Sequence, residues 1–113
     1  AGGDEPSGSD APQRDKKQLR QQRAKIRHEL SSRLKPWKRQ VQSAERAIEE
    51  MEERKGELEV LMADPELYHD QEKWSDICKE YSGIERRLER SDAQWEEAQE
   101  RIEQIESDIG EEV

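Results

Sequence analysis

Apolar residues recur along this chain in two long stripes. Leu30, Leu34, Trp37, Val41, Ala44, Ile48, Met51, Lys55, Leu58 and Met62 follow alternating steps of four and three, broken only by Lys55. After a gap, Trp74, Ile77, Tyr81, Ile84, Leu88, Ser91, Trp95, Ala98, Ile102, Ile105 and Ile109 repeat the pattern, broken only by Ser91. Steps of this kind form the a/d seam of a coiled coil and predict two long α-helices.

Ala63-Asp64-Pro65-Glu66-Leu67-Tyr68-His69-Asp70 separates the stripes. Asp64 before Pro65 is a helix-start signature, because aspartate caps a helix and proline is tolerated at its first position. Asp70 can cap a second start. Two seams joined by a connector this short fold back on each other. The expected fold is therefore all-α, an antiparallel two-helix coiled-coil hairpin with a Pro-interrupted N-terminal helical segment. The interruption is expected near Leu34-Lys35, because Pro36 removes one backbone donor and crowds the preceding turn. The chain divides into a flexible linker (1–13), a basic helical segment (14–35), a first arm (36–63), a connector (64–70), a second arm (71–110) and a tail (111–113). The Gly- and Pro-bearing stretch 1–13 is expected to follow a folded neighbour upstream.

Antiparallel packing sets a positions against d positions. Facing residues whose numbers sum to 139 place Ala44 opposite Trp95, Val41 opposite Ala98, and Met51 opposite Leu88, so that large meets small. The neighbouring register, with sums of 132, forces Trp37 against Trp95.

Composition narrows the reading further. Apolar residues are 29% of the 113, charged residues 43%. Such a chain cannot enclose a round core, but it can bury a narrow seam. No apolar run suffices for a membrane span, and no signal-peptide pattern opens the chain. Cys78 is the single cysteine, which excludes an internal disulfide and fits a reducing compartment. His28 and His69 lie at no metal-ligand spacing with each other or with Cys78, and no phosphate-binding glycine loop is present. The abundant carboxylates sit on solvated helices, without the concave setting that tunes a catalytic acid or base. No catalytic residue and no metal ligand is expected. Trp37, Trp74, Trp95 and Tyr81 all fall on the seam, so they read as packing residues rather than base-stacking platforms. Tyr68, the aromatic off the seam, either packs the connector against the helix ends, the reading packing favours, or offers a contact at the tip.

Charge is where a function first shows. The net charge of −9 is unevenly spread. Residues 14–39 hold eleven Lys/Arg against Asp15 and Glu29, whereas residues 40–113 hold nine bases against twenty-four acids. In the 139 register Arg33, Lys35, Lys38 and Arg39 run beside Glu97, Glu100, Glu103 and Glu106, and are expected to pair with them at no more than about 1 kcal/mol each. Arg14, Lys16, Lys17, Arg20, Arg23, Lys25 and Arg27 lie beyond that reach. A basic overhang of this density suits phosphate backbones, without sequence specificity.

The basic segment, the Leu34-Lys35-Pro36 step, the heptads, the Ala63-Asp64-Pro65-Glu66-Leu67-Tyr68 connector and the Trp95-Glu96-Glu97-Ala98 stretch together resemble one family. They are similar to the C-terminal coiled-coil domain of ABC-F ATPases of the Uup and YheS kind, over about residues 14–109. Arg20-Gln21-Gln22-Arg23-Ala24 looks closer to the YheS branch. The resemblance implies two upstream cassettes that bind ATP and Mg, no transmembrane domain, action on ribosomes in the cytoplasm, and a coiled-coil arm that touches RNA or DNA. The acidic body departs from what tight, general DNA binding requires. Two readings follow. One is a non-catalytic, monomeric arm docking to ribosomal RNA or DNA through residues 14–27. The other is a protein-interaction or spacer hairpin whose outer charges only solvate the rod; an intermolecular coiled coil is a third arrangement.

Overall fold

In a computed structural model, the backbone is described for residues 4–112 and the side chains for residues 14–110. Helix α1 spans Asp4–Met62, a 3-10 turn spans Pro65–His69, and helix α2 spans Gln71–Glu112. α2 lies against the C-terminal part of α1 as an antiparallel hairpin. α1 opens at Asp4, within the stretch 1–13 expected as a linker. The side chains there, like those of the 111–113 tail, lie outside the described residues.

The connector forms through the two aspartates. As α1 ends, Ala63 N–H donates to the carbonyls of Glu59 and Val60, and Asp64 N–H donates to that of Leu61 at 3.1 Å. Asp64 is extended, with φ −77° and ψ 118°, and its carboxylate accepts from Glu66 N–H at 3.0 Å, with Pro65 at the first turn position. Asp70 then starts α2: its carboxylate accepts from Lys73 N–H at 3.1 Å and its carbonyl from Trp74 N–H at 3.0 Å. Each cap satisfies a donor that the new helix cannot.

Burial follows the heptads. Leu34, Ala44, Leu58, Ile84, Ser91, Ala98 and Ile109 are buried, and all are seam positions. The remaining seam residues between Trp37 and Ile105, including Lys55, are half-buried, and most flanking positions are exposed. With Leu34 as a and Trp37 as d, the polar contacts across the seam fix the register. In the 139 register, facing g positions carry numbers that sum to 134. The two cross-helix bonds between g positions obey this: Gln40 donates to the Gln94 carbonyl at 2.9 Å, and Arg54 to Glu80 at 2.8 Å. Trp95 Nε1 donates to Glu45, next to Ala44, and the Tyr81 hydroxyl to Glu59, next to Leu58, each at 3.0 Å. In the 132 register Trp95 would stand eight residues from Glu45, about 12 Å along the helix. The large-against-small register is the one formed.

Two expectations need correction. α1 runs through Pro36 without a break, so no interruption forms at Leu34-Lys35. The regular helix is interrupted instead at Ala63–Asp70. Proline forfeits one hydrogen bond, a cost of about 3 kcal/mol, and seam contacts on both sides, from buried Leu34 and half-buried Trp37, hold the helix together. Nor do Arg33, Lys35, Lys38 and Arg39 pair with Glu97, Glu100, Glu103 and Glu106. Arg33 contacts Glu29 on its own helix at 3.4 Å, and among the described residues the cross-helix ion pair is Arg54–Glu80. The heptad explains most of this: Lys35, Arg39, Glu97, Glu100 and Glu103 occupy outer b, c and f positions, which point away from the partner helix. Lys38 and Glu106 share the e flank yet form no ion pair among the described residues.

Candidate nucleic-acid interface

The register determines what each basic residue near the start of α1 faces. α2 ends at Glu112, opposite Arg27. Along residues 14–26, about 20 Å of helix, α1 has no facing helix among the described residues. Counting heptads back from Leu30 puts Arg27 and Arg20 at a, and Arg23 and Lys16 at d. These four residues continue the seam line itself, with cations where Leu34, Trp37 and Val41 stand further along. Steps of four and three stack them on one face of the helix. Arg14, Lys17 and Lys25 sit at b, e and f, around the rest of the circumference. All seven side chains are exposed. Among the described residues none of the seven forms an ion pair or a side-chain hydrogen bond. Lys16, Lys17, Arg20, Gln21 and Ala24 line a shallow open recess on this segment.

Seven cations within fourteen residues of one helix repel each other. The local field attracts anions, and a straight helix presents the seam-face set as a row. Guanidinium groups match phosphate oxygens with two donors, while a lysine acts as a point charge. Sequence reasoning named all seven residues but did not separate the four on one face from the three around it. The signal was available, because heptad letters extended from Leu30 give the same division.

The flanks of the hairpin differ in charge. The register sets Glu59 against Glu85 and Glu52 against Asp92 at e positions, so one flank brings carboxylates face to face. The Tyr81 hydroxyl there donates to Glu59, and that hydrogen bond, then burial and the nearby charges of Glu59 and Glu85, push its pKa up from the usual tyrosine value. The opposite flank holds the Arg54–Glu80 pair. Hydrogen bonding to Arg54 holds the Glu80 carboxyl below the usual carboxylate range, and the two partners Glu80 and Glu57 raise Arg54 further. The rod thus carries facing carboxylates along part of one flank and a basic segment at one end.

No group of three or more potential metal ligands gathers among the described residues. Cys78 is a half-buried free thiol at an e position. Gly56, Gly83 and Gly110 lie inside the helices, none with positive φ, so among the described residues no glycine turn cradles a phosphate as a nucleotide loop does. No helix is long and apolar enough to cross a membrane among the described residues.

Comparison with known proteins adds one match. No curated protein and no solved structure matches the chain. The model of the ABC transporter C-terminal domain matches residues 37–100, from Trp37 across both arms and the connector. That span is more than half of the chain and takes in most of the seam, the caps and the Arg54–Glu80 pair. The chain therefore belongs to the ABC transporter C-terminal domain family, as an accessory helical hairpin of an ABC protein.

Proposed function

We propose that this hairpin is the C-terminal arm of a soluble ABC-F-type ATPase and that it docks to ribosomal RNA or DNA through the basic end of α1. ATP and Mg then belong to the cassettes upstream of the arm, and the protein works on ribosomes in the cytoplasm. One observation carries the reading: beyond Arg27 the seam line continues as Arg23, Arg20 and Lys16, exposed and without acidic partners among the described residues. A seam that only needed to be solvated could mix both charges, as the outer faces do. A row of cations at one end binds a phosphate backbone electrostatically and turns the attached cassettes with it.

A titration of the chain against ribosomes and duplex DNA in parallel, over a range of salt concentrations, tests this. Affinity is expected to fall steeply with salt, and to fall again when Arg20, Arg23 and Arg27 become Glu. No binding at low salt, or binding indifferent to salt, sinks the reading. The second reading, a protein-interaction or spacer hairpin, draws support from the carboxylates facing each other along Glu52–Asp92 and Glu59–Glu85, which no nucleic acid would approach. It expects no nucleic-acid shift and a protein partner instead.

A further inference from the structure

The end of the rod opposite the basic segment carries a different surface. Large apolar side chains exposed among the described residues are Leu19, Val60, Leu61 and Tyr68, and three of them lie at the hairpin tip. Val60 is 74% exposed, Tyr68 59% and Leu61 42%. The coiled coil does not require them. Val60 is at an f position, turned away from the seam, and Leu61 is at g, where Arg33, Gln40 and Arg54 stand on the same helix. Solvation alone would favour a charged residue at either place.

Nor is the tip a loose loop. Asp64 and Asp70 cap the turn, and the Tyr68 ring stacks on Trp74 with centroids 4.4 Å apart and planes tilted by 31°. The apolar groups are thus presented on a fixed platform, which limits the ordering cost of binding. The same stretch, residues 59–76, holds six carboxylates (Glu59, Asp64, Glu66, Asp70, Glu72, Asp76) against Lys73, of which Glu59 accepts from Tyr81 and Asp64 and Asp70 cap the turn. That collar repels phosphate and anionic lipid alike, and it selects a partner that brings positive charge with its own apolar side chains.

We propose that the hairpin tip is a docking site for a basic amphipathic segment of a protein partner, one with leucine-like side chains flanked by lysine or arginine. Val60, Leu61 and Tyr68 supply the apolar contact, and the carboxylate collar orients the partner's cations. The arm then has two ends of opposite chemistry, one for phosphate and one for a basic protein.

A synthetic helical peptide with leucine and lysine in heptad spacing serves as the probe, titrated into the isotope-labelled chain and followed by amide shifts. The expected result is shifts confined to residues 57–76. The double variant V60S/L61S, exposed at both positions, should keep its helical circular dichroism and bind about tenfold more weakly, a difference of about 1.4 kcal/mol. Tyr68→Ser should weaken binding independently, and an oligolysine of equal charge should bind far less well than the amphipathic peptide. Equal affinity for oligolysine overturns the proposal, as do shifts along the Glu52–Asp92 flank or unchanged binding by V60S/L61S. Residues 14–30 of a second copy, with Leu19, Ile26 and Leu30 among their bases, have similar chemistry. Self-association lost in V60S/L61S, seen by sedimentation without peptide, would replace the foreign partner with a copy of this chain and overturn the assignment.

Discussion

Arg54 and Glu80 meet across the hairpin through two parallel hydrogen bonds, Nε to Oε1 at 2.8 Å and Nη2 to Oε2 at 3.1 Å. Nη1 of the same guanidinium reaches back to Glu57 at 2.9 Å. Both partners of the cross-helix pair are at g positions, where a forked contact forms only in one register. Arg54→Glu should therefore lower the thermal midpoint more than an average surface change, because it sets Glu against both Glu57 and Glu80. Glu80→Arg should lower it less, and the double exchange should recover part of the loss. Melting curves of the four proteins, read as a double-mutant cycle, check this. Strict additivity would mean that the fork contributes nothing to the alignment of the arms.

The same contacts give the protein two pH limits. Arg54 holds the folded-state pKa of Glu80 below its unfolded value, so this stabilisation is present above the unfolded carboxylate range and is lost as pH falls through the folded value. Tyr81 is the opposite case. Its folded pKa is raised by the bond to Glu59, so its contribution is complete below about 10, the ordinary tyrosine value, and disappears as pH rises past the folded value. Denaturant midpoints should fall at both extremes. Tyr81→Phe should flatten the alkaline limb, and Glu80→Gln the acidic one.

Pro36 separates what pattern shows from what propensity suggests. The seam of both arms, the Asp64 and Asp70 starts and the large-against-small register were all legible in the sequence, because periodicity and capping are local signals tied to burial. The break at Pro36 was not formed, because one residue's propensity was weighed against a seam that continues on both sides of it. The pairing of Arg33 to Arg39 with Glu97 to Glu106 failed for a related reason. A charge tally places residues along the axis but not around it, and their b, c and f positions turn most of them outward. Since Pro36 is exposed within an unbroken α1, Pro36→Ala should stabilise the protein by about 1–3 kcal/mol, measured by chemical denaturation. A loss of stability would show that the proline shapes α1 in a way the seam depends on.

Core substitutions should rank by position in the seam. Leu58 is fully buried, and Leu58→Ala should cost about 2–4 kcal/mol. Ser91 is buried at 8% exposure on the seam, beside a groove that Ala47, Met51, Arg87, Arg90 and Gln94 also line. Ser91→Ala removes a hydroxyl from the seam and raises helix propensity, and should gain about 0.5–1 kcal/mol. Midpoints in urea decide both. A destabilised Ser91→Ala would assign the hydroxyl a structural hydrogen bond that the side chain cannot forgo.

The sharpest test of the basic end is one that separates charge from placement. Two triple variants reverse the same total charge on the same segment. R20E/R23E/R27E changes the seam-face row, and R14E/K17E/K25E changes the b, e and f positions around the helix. A partner attracted only by the local field responds equally to both. A phosphate backbone laid along one face responds to the first far more strongly. The logarithmic salt dependence should become shallower by about 2.7 for three lost phosphate contacts to duplex DNA, and should be little changed in the second variant. Equal losses would leave a diffuse cationic end and remove the row of Lys16, Arg20, Arg23 and Arg27 as an interface. A larger loss in the second variant would turn the binding face to the other side of α1.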